Sequence, residues 1–420
     1  MDYVKNREEV RAPYWQRLEE RIGGAEGREI VEAMKELYSI YNDDIIDWFS
    51  GLYDARTGGY YYSESARDNE GFLPDAESTH QALNFWESSG MSNECGGSYL
   101  NAIPDFMKEA VPKFIYGLQD PDGYFYHPQW GKDIIPRRRG RDLSWCVSLL
   151  KKFGVEPRYS TILDSREDSG DGQKLIPDHL KDRESFLAYL STLDIAGRSY
   201  HVGSDLSSQF GQITALGLRD DCISYLNEKQ DPESGIWQDK KNYYGINGLM
   251  KISCCYTAAN IILPNSLAAA RSAIDAITSD EPMGAVVDLY NTWYAVGNIL
   301  VCLRSVGGEE GAAMADQIVG ELMKIAPAAI RKSKEKIAPF RKPDGGYSYG
   351  PNYSSATSQS VPAAVPKSAE GDVNGTVIAV MGIINHIYRA LELTDVKVPL
   401  FVEADRQRYC ELLESKRNDR

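Results

Sequence analysis

Apolar positions recur along the chain in two kinds of helical run. One is amphipathic, as in Val111-Pro-Lys-Phe-Ile-Tyr-Gly-Leu118 and Asp221-Cys-Ile-Ser-Tyr-Leu-Asn-Glu-Lys229. The other is apolar nearly all round: Ser78–Trp86, Leu143–Leu150, Asn247–Tyr256, Leu289–Leu300 and Asn374–Ile384. An amphipathic helix covers a core and an all-round apolar helix sits inside one, so the alternation predicts an outer and an inner layer.

The turns between the runs repeat. Tyr53-Asp-Ala-Arg-Thr-Gly-Gly-Tyr60, Gln119-Asp-Pro-Asp-Gly-Tyr-Phe125, Gln230-Asp-Pro-Glu-Ser-Gly-Ile-Trp237 and Arg341-Lys-Pro-Asp-Gly-Gly-Tyr347 all end in Gly-x-aromatic. Their glycines, Gly58, Gly123, Gly235 and Gly345, lie 65, 112 and 110 residues apart. Halving the two long spacings leaves a unit of about 55 to 65 residues, with two copies near 179 and 290 that lack the turn sequence. Pro and Gly stop the first helix of each unit, and the aromatic is placed to pack on a neighbouring hairpin. Six units are expected.

This design resembles the α/α toroids of terpenoid cyclases and protein prenyltransferases. Several polysaccharide lyases and glycoside hydrolases share the architecture. The resemblance covers roughly residues 40–392 and implies an all-α (α/α)6 toroid of six helical hairpins, in one domain over 1–420. Residues 394–420 read as a terminal helix, 155–182 as a polar insertion and 351–371 as a long loop able to act as a lid.

Composition narrows the chemistry. The 420 residues carry 46 Lys+Arg against 61 Asp+Glu, a net charge of −15, which disfavours nucleic acid and anionic membrane surfaces as partners. No apolar run of transmembrane length occurs. The charged N-terminus without an apolar segment, and seven scattered cysteines, give the expectation of a cytoplasmic protein. No metal or other cofactor is expected, since neither Cys nor His falls at ligand spacing. The chain has 26 Tyr but 11 Phe; a core needs no hydroxyl, so the surplus suggests a polar aromatic surface of the kind that stacks on sugar rings.

In a toroid the turns and the inner-helix N-termini gather at one mouth, where unpaired N–H groups favour anions. Four loops precede inner helices. The first brings Asp75, Glu77 and His80, although Asp75 and Glu77 would serve equally as a cap and a first-turn acid. The second brings His127, Trp130, Arg139 and Arg141, where four Arg within five positions suit a carboxylate or phosphate. The third brings Tyr243, Tyr244 and Asn247, and the fourth Tyr349, Asp372 and Asn374. Asn247 and Asn374 would equally serve as N-caps. Asp288 opens a further inner helix.

The expected function is that of a carbohydrate-active enzyme on an acidic, uronate-containing oligosaccharide, foremost a polysaccharide lyase. β-Elimination needs a base, an acid and a neutraliser for the carboxylate, roles open to Tyr or His and to Asn or Arg. His80, Tyr244, Asn247, Glu77 and Asp75 are the catalytic candidates. Arg139, Arg141, His127, Trp130, Tyr243, Tyr349, Asn374 and Asp372 are the substrate-binding candidates. One alternative is a glycoside hydrolase using paired carboxylates. Another is a terpenoid cyclase or prenyltransferase-like enzyme, but Asp372-Val-Asn374-Gly375 lacks two acids of the Asp-x-Asp-Asp pattern of class II cyclases. The last is a toroid that only binds.

Overall fold

The structure, a computed structural model, describes residues 2–164, 172–365 and 369–418. Part of the polar insertion and part of the predicted lid therefore lie outside the described residues.

The fold is all-α, and its helices alternate between outer and inner. The six outer–inner pairs are Asp44–Leu52 with Ala76–Ser88, Asp105–Tyr116 with Pro136–Lys152, Arg183–Ser191 with Ile195–Ala215, Arg219–Lys229 with Tyr243–Ala259, Ser266–Thr278 with Val287–Val306, and Gly308–Ile337 with a composite helix. The composite runs Val373–Val377, through a π turn Ile378–Gly382, into Ile383–Ala390. Each inner helix packs on the next, and the sixth packs on the first. This cyclic order is compatible with a toroid. Two N-terminal helices, Tyr3–Ile22 and Gly24–Tyr38, and the C-terminal helix Glu403–Asn418 lie outside the six pairs.

The repeated turns explain the spacing of the units. Gly58, Gly123, Gly235 and Gly345 have φ of 90°, 88°, 68° and 103°, a region open to glycine at little cost. Three of them also touch the next outer helix. A Cβ on Gly58 would lie 2.5 Å from Ala110 O, one on Gly235 2.3 Å from Ala269 N, and one on Gly345 2.9 Å from Asp44 O. The last contact joins the sixth unit to the first. The following aromatics, Tyr60, Phe125, Trp237 and Tyr347, are all buried. Tyr347 Oη donates to Ile40 O at 3.2 Å, again across that seam.

The two degenerate turns fall at 192–194 and 279–286 rather than near 179 and 290. Neither uses the glycine. Asp194 caps the third inner helix by accepting from Gly197 N at 3.0 Å. Asp288 accepts from Gly284 N and Ala285 N at 2.8 and 3.0 Å and tightens the turn before the fifth. The fourth and sixth inner helices are capped by Asn242 and Asp372, not by Asn247 and Asn374. The fourth helix begins a turn earlier than its apolar run suggests, and the sixth begins at Val373, one residue before Asn374.

Candidate functional site

The N-terminal ends of the inner helices form a closed circuit of polar contacts. Arg138 Nη1 donates to Glu77 Oε2 at 2.7 Å between the second and first helices. Arg137 Nη1 lies 3.5 Å from Asp205 Oδ1 between the second and third. Tyr244 Oη lies 2.7 Å from His201 Nδ1 between the fourth and third. Asn247 Nδ2 donates to Asp288 Oδ1 at 2.8 Å between the fourth and fifth, and Asn291 Nδ2 donates back to Asn247 Oδ1 at 2.8 Å. Val286 N donates to Tyr349 O at 2.9 Å, joining the approaches to the fifth and sixth. Tyr62 Oη donates to Asp372 Oδ1 at 3.1 Å, joining sixth and first. These contacts link neighbouring inner helices around the whole cycle, the third through His201 and Asp205 in its first half.

The arginine run is helical rather than a solvated loop, since the second inner helix begins at Pro136. Helical spacing divides its members. Arg138 points inward, fully buried, and meets three carboxylates: Glu77 at 2.7 Å, Asp142 at 2.9 Å and Asp75 at 3.8 Å. Burial and the surplus of negative charge push the Asp142 carboxyl up to about 6, while its Arg138 contact opposes this. Burial likewise raises Asp75. Asp75 also caps the first inner helix, accepting from Ser78 N at 2.9 Å and Ser78 Oγ at 2.6 Å. A strap of the fourth loop closes over this cluster. Thr357–Ser358 pairs with Val361–Pro362 around Gln359 and Ser360, both at positive φ. Ser358 Oγ donates to Glu77, and Trp130 Nε1 donates to Pro362 O at 2.8 Å.

Asp372 is fully buried as well. It accepts from Gly375 N, Tyr349 N, Ser355 N and Tyr62 Oη, and burial lifts its carboxyl to about 6 against these donors. His127 is buried and holds Pro74 O at 2.8 Å through Nε2, with burial lowering it to about 4. Tyr243 turns outward to Lys336 on the sixth outer helix. Arg139 reaches Lys132 O and the rings of Tyr124 and Tyr126. Asn374 is partly buried in the first turn of the sixth inner helix. The mouth also has a half-exposed part.

That part centres on Tyr244 and His201. Both are half-buried. Burial, Arg137 and Arg198 lower the His201 pKa, with Asp205 opposing, so the ring is held neutral near pH 7. Burial raises Tyr244 while Arg198 opposes. Arg198 is exposed, and Arg137 Nε is buried without a hydrogen-bond partner. His201 is absent from the sequence-based candidates because the third inner helix does not read as apolar. Its one signal is spacing: Arg198, His201 and Asp205 recur at helical period.

Deeper inside, the lining is aromatic and basic. His80 stacks on Trp145 at 6.0 Å, and burial lowers it to about 4. Arg141 lies over the Trp145 ring at 4.7 Å. His386 stacks on Tyr294 at 3.9 Å, with Arg389 5.4 Å from the same ring. Among the described residues no three His, Cys, Asp or Glu side chains converge as a metal ligand set. No described helix is long and apolar enough to cross a membrane.

No family model, no curated protein and no solved structure matches the chain.

Proposed function

We propose that the protein is a lyase that cleaves a uronate-containing glycan by β-elimination at the Tyr244–His201 pair. The observation that carries this reading is the 2.7 Å contact between Tyr244 Oη and His201 Nδ1 at the open side of the mouth, flanked by two arginines.

The proton path follows from the contact; with Tyr244 raised and His201 lowered, the transfer to His201 is uphill and completes only as Tyr244 takes the C5 proton. A neutral His201 with its proton on Nε2 accepts the Tyr244 hydroxyl proton at Nδ1 as Tyr244 Oη takes the C5 proton of the uronate. The C5–H electron pair becomes the C4–C5 double bond, and the C4–O4 bond breaks. Tyr244 returns the C5 proton to the departing O4, and His201 returns its proton to Tyr244. Arg137 and Arg198 neutralise the sugar carboxylate, which makes C5–H acidic enough for a side-chain base.

A hydrolase on paired carboxylates draws less support. Asp75, Glu77, Asp142 and Asp372 are buried and committed to Arg138 or to backbone amides, and Asp288 is committed to Asn247 and two amides.

The test is a panel of uronate glycans read by two assays on the same samples: ultraviolet absorbance of the new C4–C5 double bond, and reducing ends. Both signals together support elimination. Reducing ends without the double bond would sink it.

A further inference from the structure

Lys251 stands apart from the polar circuit. It follows Tyr244 by seven residues on the fourth inner helix, two turns and about 10 Å further in on the same face. Its side chain is partly exposed, and its ammonium has no hydrogen-bond or ion-pair partner among the described residues. It lies 5.9 Å from the centre of the Tyr200 ring. Arg141, on the second inner helix and seated on Trp145, lies close enough to act on the Lys251 charge. Its Nη2 is 4.0 Å from Glu77 Oε1, but Glu77 Oε2 already accepts from Arg138 and Ser358. Glu77, the carboxylate that acts on both Lys251 and Arg141, is thus engaged elsewhere.

We propose that Lys251 and Arg141 form an anion subsite inside the ring that holds a second acidic group of the same substrate. This rests on the elimination reading, with Tyr244 and His201 acting on one acidic sugar at the mouth. Arg offers a planar fork for an oxyanion and Lys a point charge, while Trp145 and Tyr200 offer flat faces beside it. The ligand chemistry is an oxyanion carried on a sugar, either carboxylate or sulfate ester.

The electrostatics agree. Burial and the neighbouring Arg141 and Arg137 lower Lys251 to about 8, opposed by Glu77 and Cys254. A bound anion would raise it again, so anion binding near pH 8 takes up protons.

Calorimetry on the full chain tests the subsite with inorganic sulfate, galacturonate and trigalacturonate. Wild type is expected to bind sulfate with proton uptake at pH 8. Lys251→Met should weaken sulfate at least about tenfold, the loss of one charge-assisted contact, and Lys251→Arg should restore most of it. Lys251→Met removes a largely buried charge but keeps the apolar stem, so the fold should survive; matching thermal melts check that. Wild type is expected to bind trigalacturonate more tightly than galacturonate, an advantage that Lys251→Met removes. On a cleaved glycan, Lys251→Met should raise KM about tenfold with little change in kcat. Tyr244→Phe should bind sulfate as wild type does. Absent sulfate binding, or binding indifferent to Lys251, overturns the subsite. If Lys251-dependent sulfate binding is present but no glycan is cleaved, the elimination reading fails and the anion site stands as a site for free oxyanions. If sulfate binds through Lys251 and trigalacturonate gains nothing over galacturonate, a sulfated sugar is the ligand.

Discussion

Arg138 and Glu77 meet at 2.7 Å between the first two inner helices, and neither side chain has more than 1% of its surface exposed. With Asp75 and Asp142 beside them, the cluster holds three carboxylates against one guanidinium. An ion group this deep adds little net stability over an apolar one, but removing a single member leaves buried charge unpaired. It fixes the start of the second inner helix against the first, and so sets where Arg137 and Arg141 point.

Replacing Arg138 by Met should therefore destabilise the protein by about 3–5 kcal/mol, read by denaturant unfolding. Replacing Arg139, which reaches Lys132 O and two tyrosine rings, should cost under about 1 kcal/mol. Equal losses in the two variants would contradict this division of the arginine run.

Tyr244→Phe should lower the elimination rate about 100-fold or more while leaving the melting temperature within a degree or two. His201→Ala should cost about as much, and the double variant little more, because the two act as one unit. Additive losses in a steady-state double-mutant cycle would count against a shared proton path.

Gly235→Ala should destabilise by roughly 3 kcal/mol, combining a left-handed backbone with a collision at Ala269 N. Gly217 has φ 76° but open space where a Cβ would go, so Gly217→Ala should cost only about 1 kcal/mol. Thermal melts of the pair separate the close approach from the backbone preference.

Burial holds His386 neutral, down to about 3, and His80 and His127 down to about 4. A folded value below the unfolded one, near 6.5, means stability that is present above pH 6.5 and lost as pH falls toward the folded value. Asp142 and Asp372, raised to about 6, work in the other direction: they favour the fold below about pH 4 and lose that contribution as pH rises through 6. Between pH 6.5 and 4, His386→Gln should thus flatten the acid loss by up to about 1.4 kcal/mol per pH unit. Urea midpoints of both proteins across that range measure it; parallel curves would show that His386 is not held neutral.

The outer–inner alternation and four of the six turns are legible in the sequence, because a glycine at positive φ beside a neighbouring backbone leaves a fixed residue type. The other two turns are capped by Asp194 and Asp288, whose role depends on where their carboxylates point. The third inner helix escapes an apolar search because Ser, Gln, His and Asp recur in it, facing neighbouring helices and the mouth. His201 is missed with it, although its partner Tyr244 is readable. Arg138 is distinguishable from Arg139 only by a partner one turn on, Asp142. Asn247 and Asn374 show the reverse error: good capping chemistry at positions inside the helix, Asn247 one turn in and Asn374 at its second residue.

The contact between Gly345 and Asp44 has a consequence for how the chain reaches its native state. It joins residues 301 positions apart, so the ring cannot close until most of the polypeptide has been made. Contacts of such separation fold slowly, because the chain entropy is lost before the contact forms. The terminal helices span the same seam: Arg7 holds Asp405 at 3.1 Å, and Arg408 reaches Asp43 and Asp47. During synthesis the five earlier hairpins would wait as an open arc, its last inner face uncovered until the C-terminal residues arrive and latch it.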